Sequence, residues 1–379
     1  MKILLVGEYS RLHNSLKEGL LKLGHEVTLI ATGDGFKDYP ADIKITNSYN
    51  RGFKSMVKKA VYKLTKYDIS GNHIKKQVLQ HAEVLKGHDV VQLINESPFL
   101  TTPKIEKQII GFLKKHNKRL FLLSCGTDYT SVEYAYNKHF RYSILTPYFS
   151  GKINKKGFAH VLKYLTNPFK NLHTFVFDSI QGVIASDMDY HIPLLNHPKY
   201  LGLIPNPVNT DAITYRQPIV KEKVIIFHGI NSKNYYKKGN DFFEEALLKV
   251  KQQYGDKIEI ITTRDVPYKA YTDQYNKAHI VLDQVYAFDQ GYNALEAMAK
   301  GKVVFTGAEQ EWLNYYGLEE NTVAINALPD VDAIVEKLVW LIEHPNKILT
   351  LSENARRFVE AQHHYVKSAE NYLQIWGKN

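Results

Sequence analysis

The sequence predicts an α/β protein of two domains, each a parallel β-sheet covered by helices. Three observations lead there. The chain has 379 residues, 44% of them hydrophobic, too long for one ordinary domain and apolar enough to bury two cores. Short β-branched runs alternate with helical patterns. The alternation stops in a proline-rich stretch and then begins again.

In chain order, "KILLVGE" predicts a strand, "HNSLKEGLLKLG" a helix closed by Gly24, and "EVTLIAT" the next strand. "DVVQLINE", the helix "PKIEKQIIGFLKKHN", the strand "RLFLLSCGTD" and the strand "GVIASD" continue the pattern. The segment from Tyr134 to Asn171, rich in Tyr, Phe and Lys, is the least regular part of the first domain and is expected to be either an insertion or an excursion toward a second substrate. "LGLIPNPVNTDAITYRQP" has three prolines and no periodic apolar face, which predicts a linker. Beyond it, "KVIIFHGIN", "KIEIITTR", "HIVLDQ" and "KVVFTG" predict strands, separated by the helices "GNDFFEEALLKVKQQYG", "YKAYTDQYNKA" and a short one around "NALEAMA". The carboxyl-terminal stretches "DVDAIVEKLVWLIEHP" and "LSENARRFVEAQHHYVKSAENYLQIW" are helical by apolar spacing. The expected division is 1–205 for the first domain and 206–350 for the second, with the final helical segment 351–379 returning to complete the first.

The single cysteine, Cys125, excludes an internal disulfide framework and a multi-cysteine metal site. It is expected to be a small buried residue rather than a nucleophile. "MKILLVGEYS" is too short an apolar run for a signal-peptide core, so a cytoplasmic setting is expected. The formal net charge of +10 points to an anionic partner. Lysines interleaved with apolar residues between Arg51 and Gln80 predict either a solvated helix face or an amphipathic surface for anionic lipid, which would make the protein peripheral to the membrane. No nucleic-acid-binding signature is present. A G-x-G-x-x-G after the first strand and a Walker-type loop are both missing, which argues against nicotinamide and P-loop enzymes. No histidine pair has zinc-ligand spacing apart from His363–His364, expected to be solvated. His13 and Asn14, near the start of the first helix, either face the cleft between the domains or, as expected, lie on the helix surface.

The stretch "DQGYNALEAMAKGKVVFTG" carries the chemistry. Gly291 precedes a short helix whose first N–H groups and dipole suit an anion, and a glycine lets a phosphate approach the backbone. Glu296 lies about 7.5 Å farther along the axis, roughly the step from a diphosphate to a ribose, and a carboxylate can accept from both hydroxyls of a diol. The alternative is an exposed glutamate on an ordinary helix after a turn.

"NALEAMAKGKVV" resembles the signature of retaining GT-B glycosyltransferases of the family-four type, whose fold is two Rossmann-like domains facing each other across a cleft. The likeness covers nearly the whole chain. It implies Glu296 on the ribose, with Gly291 and Asn293 presenting N–H groups. "YYKKGNDFFEEALLKV" is similar to the element whose lysine approaches the diphosphate, which falls on Lys238. "LIPNPVNTDAI" is similar to the interdomain stretch, and "RLFLLSCGTDY" to a first-domain loop facing the donor. Three positions depart from the pattern. Phe288 stands where a second glutamate contacts the transferred sugar, leaving Asp289 or Asp283 as substitutes. Ile230 follows Gly229 where an arginine is usual, leaving Lys238, the helix N–H groups and Arg264 to compensate. Cys125 stands where many relatives have a histidine. Asp128 is expected either to act catalytically, orienting an acceptor hydroxyl or supporting the departing charge, or to cap its loop.

The implied activity is metal-independent transfer from a nucleotide-diphospho-sugar to a glycan or lipid-linked acceptor, with no cofactor. "LDQVYAFDQGYNALEAMAKGKVV" also looks like a sub-group acting in bacterial surface polysaccharide synthesis, of capsule, O-antigen or lipopolysaccharide. The alternatives are a non-catalytic glycan- or nucleotide-sugar-binding relative, a sugar-nucleotide epimerase, or a glycoside phosphorylase on the same fold.

Overall fold

The computed structural model describes residues 1–32, 39–50, 52–65 and 67–379. Seven strands form the first sheet: β1 (Lys2–Val6), β2 (Glu26–Ala31), β3 (Ile43–Lys44), β4 (Val90–Leu93), β5 (Arg119–Ser124), β6 (Gly182–Ala185) and β7 (Tyr200–Leu203). They are parallel, in the order β3-β2-β1-β4-β5-β6-β7. The second sheet contains β8 (Val224–Ile230), β9 (Ile258–Arg264), β10 (Ile280–Leu282), β11 (Val303–Thr306) and β12 (Ile325–Asn326), also parallel, in the order β12-β11-β10-β8-β9. The architecture is α/β with two Rossmann-like sheets, the GT-B arrangement.

Burial explains the strand sequences. Every residue of β4, β10 and β11 is buried, because helices cover both sheet faces and leave no position for a polar alternation. In the Leu12–Lys22 helix, Leu12, Leu16 and Leu20 repeat at four-residue spacing and turn one stripe into the core. One apolar cluster runs from that face of the first sheet through Ile204 and Val208 into the second domain.

Two boundaries differ from the sequence expectation. Leu201–Leu203, expected in the linker, belong to β7, an edge strand that is only half-buried and so lacks a strong apolar signature. The last helical stretch is two helices, Pro345–Gln362 and Tyr365–Lys378, broken at His363–His364 where the chain crosses back to the first domain. His363 is buried rather than solvated, with Nδ1 2.9 Å from the Asn206 carbonyl, and burial lowers its pKa to about 4. The Tyr365–Lys378 helix packs on Leu12–Lys22, and Trp376, fully buried, donates from Nε1 to Gln92 Oε1 at 3.1 Å.

The irregular segment has its own small core of Val132, Ala135, Leu145, Phe158, Val161 and Tyr164. Its Arg141 and Tyr142 reach across to the second domain. Arg141 donates to Glu309 at 2.6 Å and to Glu311 at 2.7 Å, and the Tyr142 hydroxyl donates to Glu309.

Candidate active site

In an open parallel sheet, ligands bind beyond the carboxyl ends of the strands where the strand order reverses. In the second sheet that point lies between β8 and β10. Asp283 follows β10 directly and is 4% exposed. Its Oδ1 accepts from Lys238 Nζ at 2.8 Å and from Asn293 Nδ2 at 3.0 Å, and Thr306 Oγ1 lies 3.4 Å from Oδ2. A buried carboxylate of this kind needs a cation and donors to offset its desolvation. The Lys238 side chain keeps 32% of its surface accessible, so its ammonium can meet a second anion. Gly239 turns the chain just after it with φ +70°, and a Cβ there would lie 2.6 Å from Val285 Cβ, so only glycine fits.

The Tyr292–Ala299 helix starts at Gly291, and no side chain caps its first turn. The backbone of Gly291 is extended (φ −74°, ψ 169°), and the nearest atom to a Cβ there would be Gln284 Nε2 at 3.6 Å. Neither conformation nor crowding therefore demands glycine at 291; the space in front of the helix is left open. Tyr292 fixes that end against the first domain, its hydroxyl 2.5 Å from Ser15 Oγ and also bonded to the Pro207 carbonyl. Glu296 is half-buried and, among the described residues, its carboxylate has no hydrogen-bond or ion-pair partner. Lys238, Asp283, Asn293 and the open helix end thus converge at the switch point, with Glu296 farther along the same helix.

Other expected residues lie elsewhere. Gly229 is filled by packing: a Cβ would meet the Tyr271 ring at 2.5 Å, and the Tyr271 hydroxyl donates to Asn293 Oδ1 at 3.2 Å. Arg264, on the edge strand β9, is about half exposed, pairs with Glu244 at 2.7 Å and lies over the Tyr235 ring. Asp128 takes the capping role: it is 3% exposed, Oδ1 accepts from the Ser131 N–H at 2.7 Å, and Oδ2 accepts from Ser124 Oγ. With both oxygens engaged, it has little left to offer an acceptor. Burial pushes the Cys125 thiol up, which disfavours a thiolate nucleophile. His13 is fully buried rather than on the surface, with Nδ1 2.7 Å from the Gly7 carbonyl, and burial lowers its pKa to about 3.

Phe288, in place of a sugar-contacting glutamate, is packed under Phe140, Tyr142 and the Arg141 guanidinium. Asp289 turns to the domain interface, where its Oδ2 accepts from the Met188 N–H at 2.9 Å, while Asp189 accepts from the Phe288 N–H at 3.1 Å. Among the described residues, Asp187, Asp189 and Asp289 form the one group whose carboxylate oxygens, within 4.8 Å of one another, could share a cation. Burial, then mutual repulsion, raises Asp187 and Asp289 well above the ordinary range; burial, then Glu309, raises Asp189 to about 7.

These carboxyls bind protons more readily folded than unfolded. Their contribution to stability is therefore complete below the ordinary aspartate value of 3.8, and for Asp189 it is lost as pH rises through about 7. Asp189→Asn should remove much of that slope, raising stability by about 1–2 kcal/mol at pH 8 with little change at pH 4, a figure kept below the full shift because Asp189 is only half-buried. Thermal unfolding across pH checks this; a difference that does not change with pH refutes it.

Sequence reasoning missed two features of the site. Lys237, half-buried beside Lys238, has no partner among the described residues, and burial followed by the Lys238 charge lowers its pKa. Such crowding is relieved by an anion, and the double lysine of "YYKKG" was a visible signal. On the first-domain side, Glu8 and Arg11 are close enough for their charges to act on the Tyr292 hydroxyl. Ser10 and Arg11 adopt left-handed backbone without glycine, and nothing in the local pattern signals that.

Residues 234–374 match the family model described as Glycosyl transferase-like. The match lies in the second domain and the helices that follow it. Solved structures share the two-sheet fold along the whole of this chain. Sucrose-phosphate synthase from Thermosynechococcus elongatus superposes with TM-score 0.60 at 12% identity, over 100% of this chain and 99% of that one. HepE from Anabaena, in complex with UDP and glucose, gives TM-score 0.60 at 12% identity over 100% of both chains. WaaG, a glycosyltransferase involved in lipopolysaccharide biosynthesis, gives 0.56 at 15% over 99% of both. No curated protein matches the sequence.

Proposed function

We propose that the protein is a metal-independent, retaining glycosyltransferase of the family-four type. It takes a sugar from a nucleotide-diphospho-sugar, with uridine as the favoured base, and passes it to a lipid-linked glycan in bacterial surface polysaccharide synthesis. The reading rests on one observation, the convergence of Lys238, Asp283 and Asn293 with the open Gly291 helix end at the switch point of the second sheet. Lys238, with Lys237 beside it, and the helix N–H groups neutralise the departing diphosphate, which is the main demand of the step. Glu296 holds the ribose. Asp283 keeps Lys238 aimed and is the positioning residue; Asp289 belongs to the interface. The UDP in the HepE structure supports the choice of base, and WaaG the polysaccharide setting.

The test is incubation with a panel of nucleotide sugars, with and without a chelator. A transferase slowly hydrolyses one of them without acceptor and is indifferent to chelation. Turnover of none points to a binding protein, an epimer as product to an epimerase, a requirement for free phosphate to a phosphorylase, and loss of activity with chelator to a metal at the carboxylate cluster.

Membrane-peripheral action is part of the same proposal. No helix among the described residues is long and apolar enough to cross a bilayer. The Gly52–Thr65 helix, however, buries none of its side chains and exposes Phe53 (77%), Met56 (68%) and Leu64 (83%), with Lys54, Lys58, Lys59 and Lys63 alongside. Its Lys58, Lys59 and Tyr62 line a cavity of about 550 Å³ with Ile74, Phe99, Leu100 and, as the single acid among the described residues, Asp68, a lining basic and apolar enough for an anionic amphiphile. Replacing Phe53, Met56 and Leu64 together by Ser should weaken binding to phosphatidylglycerol vesicles by roughly tenfold or more, and binding should fall with salt. Sedimentation with vesicles that is unaffected by both changes would remove the membrane from the proposal.

A further inference from the structure

The donor site leaves a second group of cations unused, at the carboxyl end of the Tyr292–Ala299 helix. Lys300 caps that helix, and Gly301 reverses the chain with φ +87°. A Cβ on Gly301 would lie 2.5 Å from the Arg216 carbonyl oxygen, so the interdomain segment lies directly against this turn, and the Arg216 N–H donates to the Lys300 carbonyl at 3.2 Å. Arg216, Lys300 and Lys302 line a cavity of about 210 Å³ with Thr214 and Asn276, and among the described residues no acidic one lines it. At about 30 Å³ per water, that is room for a phosphate and part of its hydration or an attached small group.

The three cations are poorly compensated. Lys302 is 6% exposed, and its ammonium reaches only carbonyls, those of Asn276 at 2.9 Å and Ala278 at 2.6 Å. Burial, then the charges of Lys300 and Arg216, push it down to about 8. Lys300 is lowered too, by burial first and also by the Arg216 charge, with the Glu296 charge opposing in part, and its Nζ stands 4.8 Å over the Tyr275 ring. Among the described residues, the Arg216 guanidinium has no hydrogen-bond or ion-pair partner. Like charges gathered around a polar cavity are costly unless an anion occupies it.

We propose that this cavity is a second anion site, separate from the donor diphosphate site, that takes a phosphate dianion, free or esterified to a small sugar. Arg216 and Lys300 bind its oxygens and Lys302 supplies a fixed positive field from below. The occupant ties the interdomain segment to the end of the donor helix.

Isothermal titration of the full protein with inorganic phosphate and, separately, with a sugar monophosphate tests it, against chloride of matched ionic strength. Wild type should bind at least one of the two. Arg216→Gln/Lys300→Gln should weaken that binding by roughly tenfold or more, since two cations are lost. Both side chains reach solvent, and Lys302 keeps its carbonyl bonds, so the fold should not suffer. Lys238→Ala should leave this binding unchanged, which separates the site from the donor reading. Tighter binding of the ester identifies a phosphorylated sugar as the ligand; equal binding identifies the free ion. No binding of either, equal competition by chloride, or loss in Lys238→Ala but not in the double variant overturns the proposal.

Discussion

Lys238→Ala is expected to lower the turnover number by about 100- to 1,000-fold, the usual cost of removing one fixed group that stabilises developing charge. The Michaelis constant for donor should change much less, because the leaving diphosphate gains charge only as the glycosidic bond breaks. The substitution also strands Asp283, which is buried and pairs with Lys238 at 2.8 Å, so the single variant should be less stable. Lys238→Ala/Asp283→Asn separates the two effects. The neutral amide can still accept from Asn293, which should restore the melting temperature while turnover stays low. A double variant as active as wild type would show that Lys238 serves only to neutralise Asp283.

Glu296→Ala should weaken nucleotide binding about 10- to 100-fold, the value of a charge-assisted hydrogen bond of about 1.5–3 kcal/mol. Stability should move by no more than about 0.5 kcal/mol, because the side chain is half-buried and makes no bond to be lost. Titration with UDP and with a UDP analogue lacking the ribose 2′-hydroxyl closes a thermodynamic cycle. If Glu296 grips the diol, the missing hydroxyl weakens wild-type binding but matters little to the variant. Unchanged affinity of Glu296→Ala for every nucleoside diphosphate would remove the ribose assignment.

Much of the fold was legible in the sequence because buried parallel strands such as "HIVLD" and "KVVFT" are uninterrupted apolar runs bounded by turns. The weak edge strand β7 was not, since a half-buried strand has no such run. The break at His363–His364 was hidden because helical spacing continues on both sides, and only the long-range bond to Asn206 fixes it. Within the site, Lys238 came from the family resemblance alone, and short-range patterns placed Gly291, Asn293 and Glu296 on one short helix. They could not show that Gly229 makes room for Tyr271, that Arg264 pairs at the surface, or that Asp289 meets Met188, because those facts depend on which element packs beside them. Asp128 was open to two interpretations from sequence, and the Ser131 and Ser124 bonds give the capping one.

The return of the Tyr365–Lys378 helix to Leu12–Lys22 has a consequence for biosynthesis. Domains usually fold in order as they leave the ribosome. Here the nascent amino-terminal half has to wait, its Leu12 surface and Gln92 uncovered, until Trp376 has been translated. A ribosome stalled in the second half would hold a lobe with an open apolar flank, a natural client for chaperones and an early target for proteolysis.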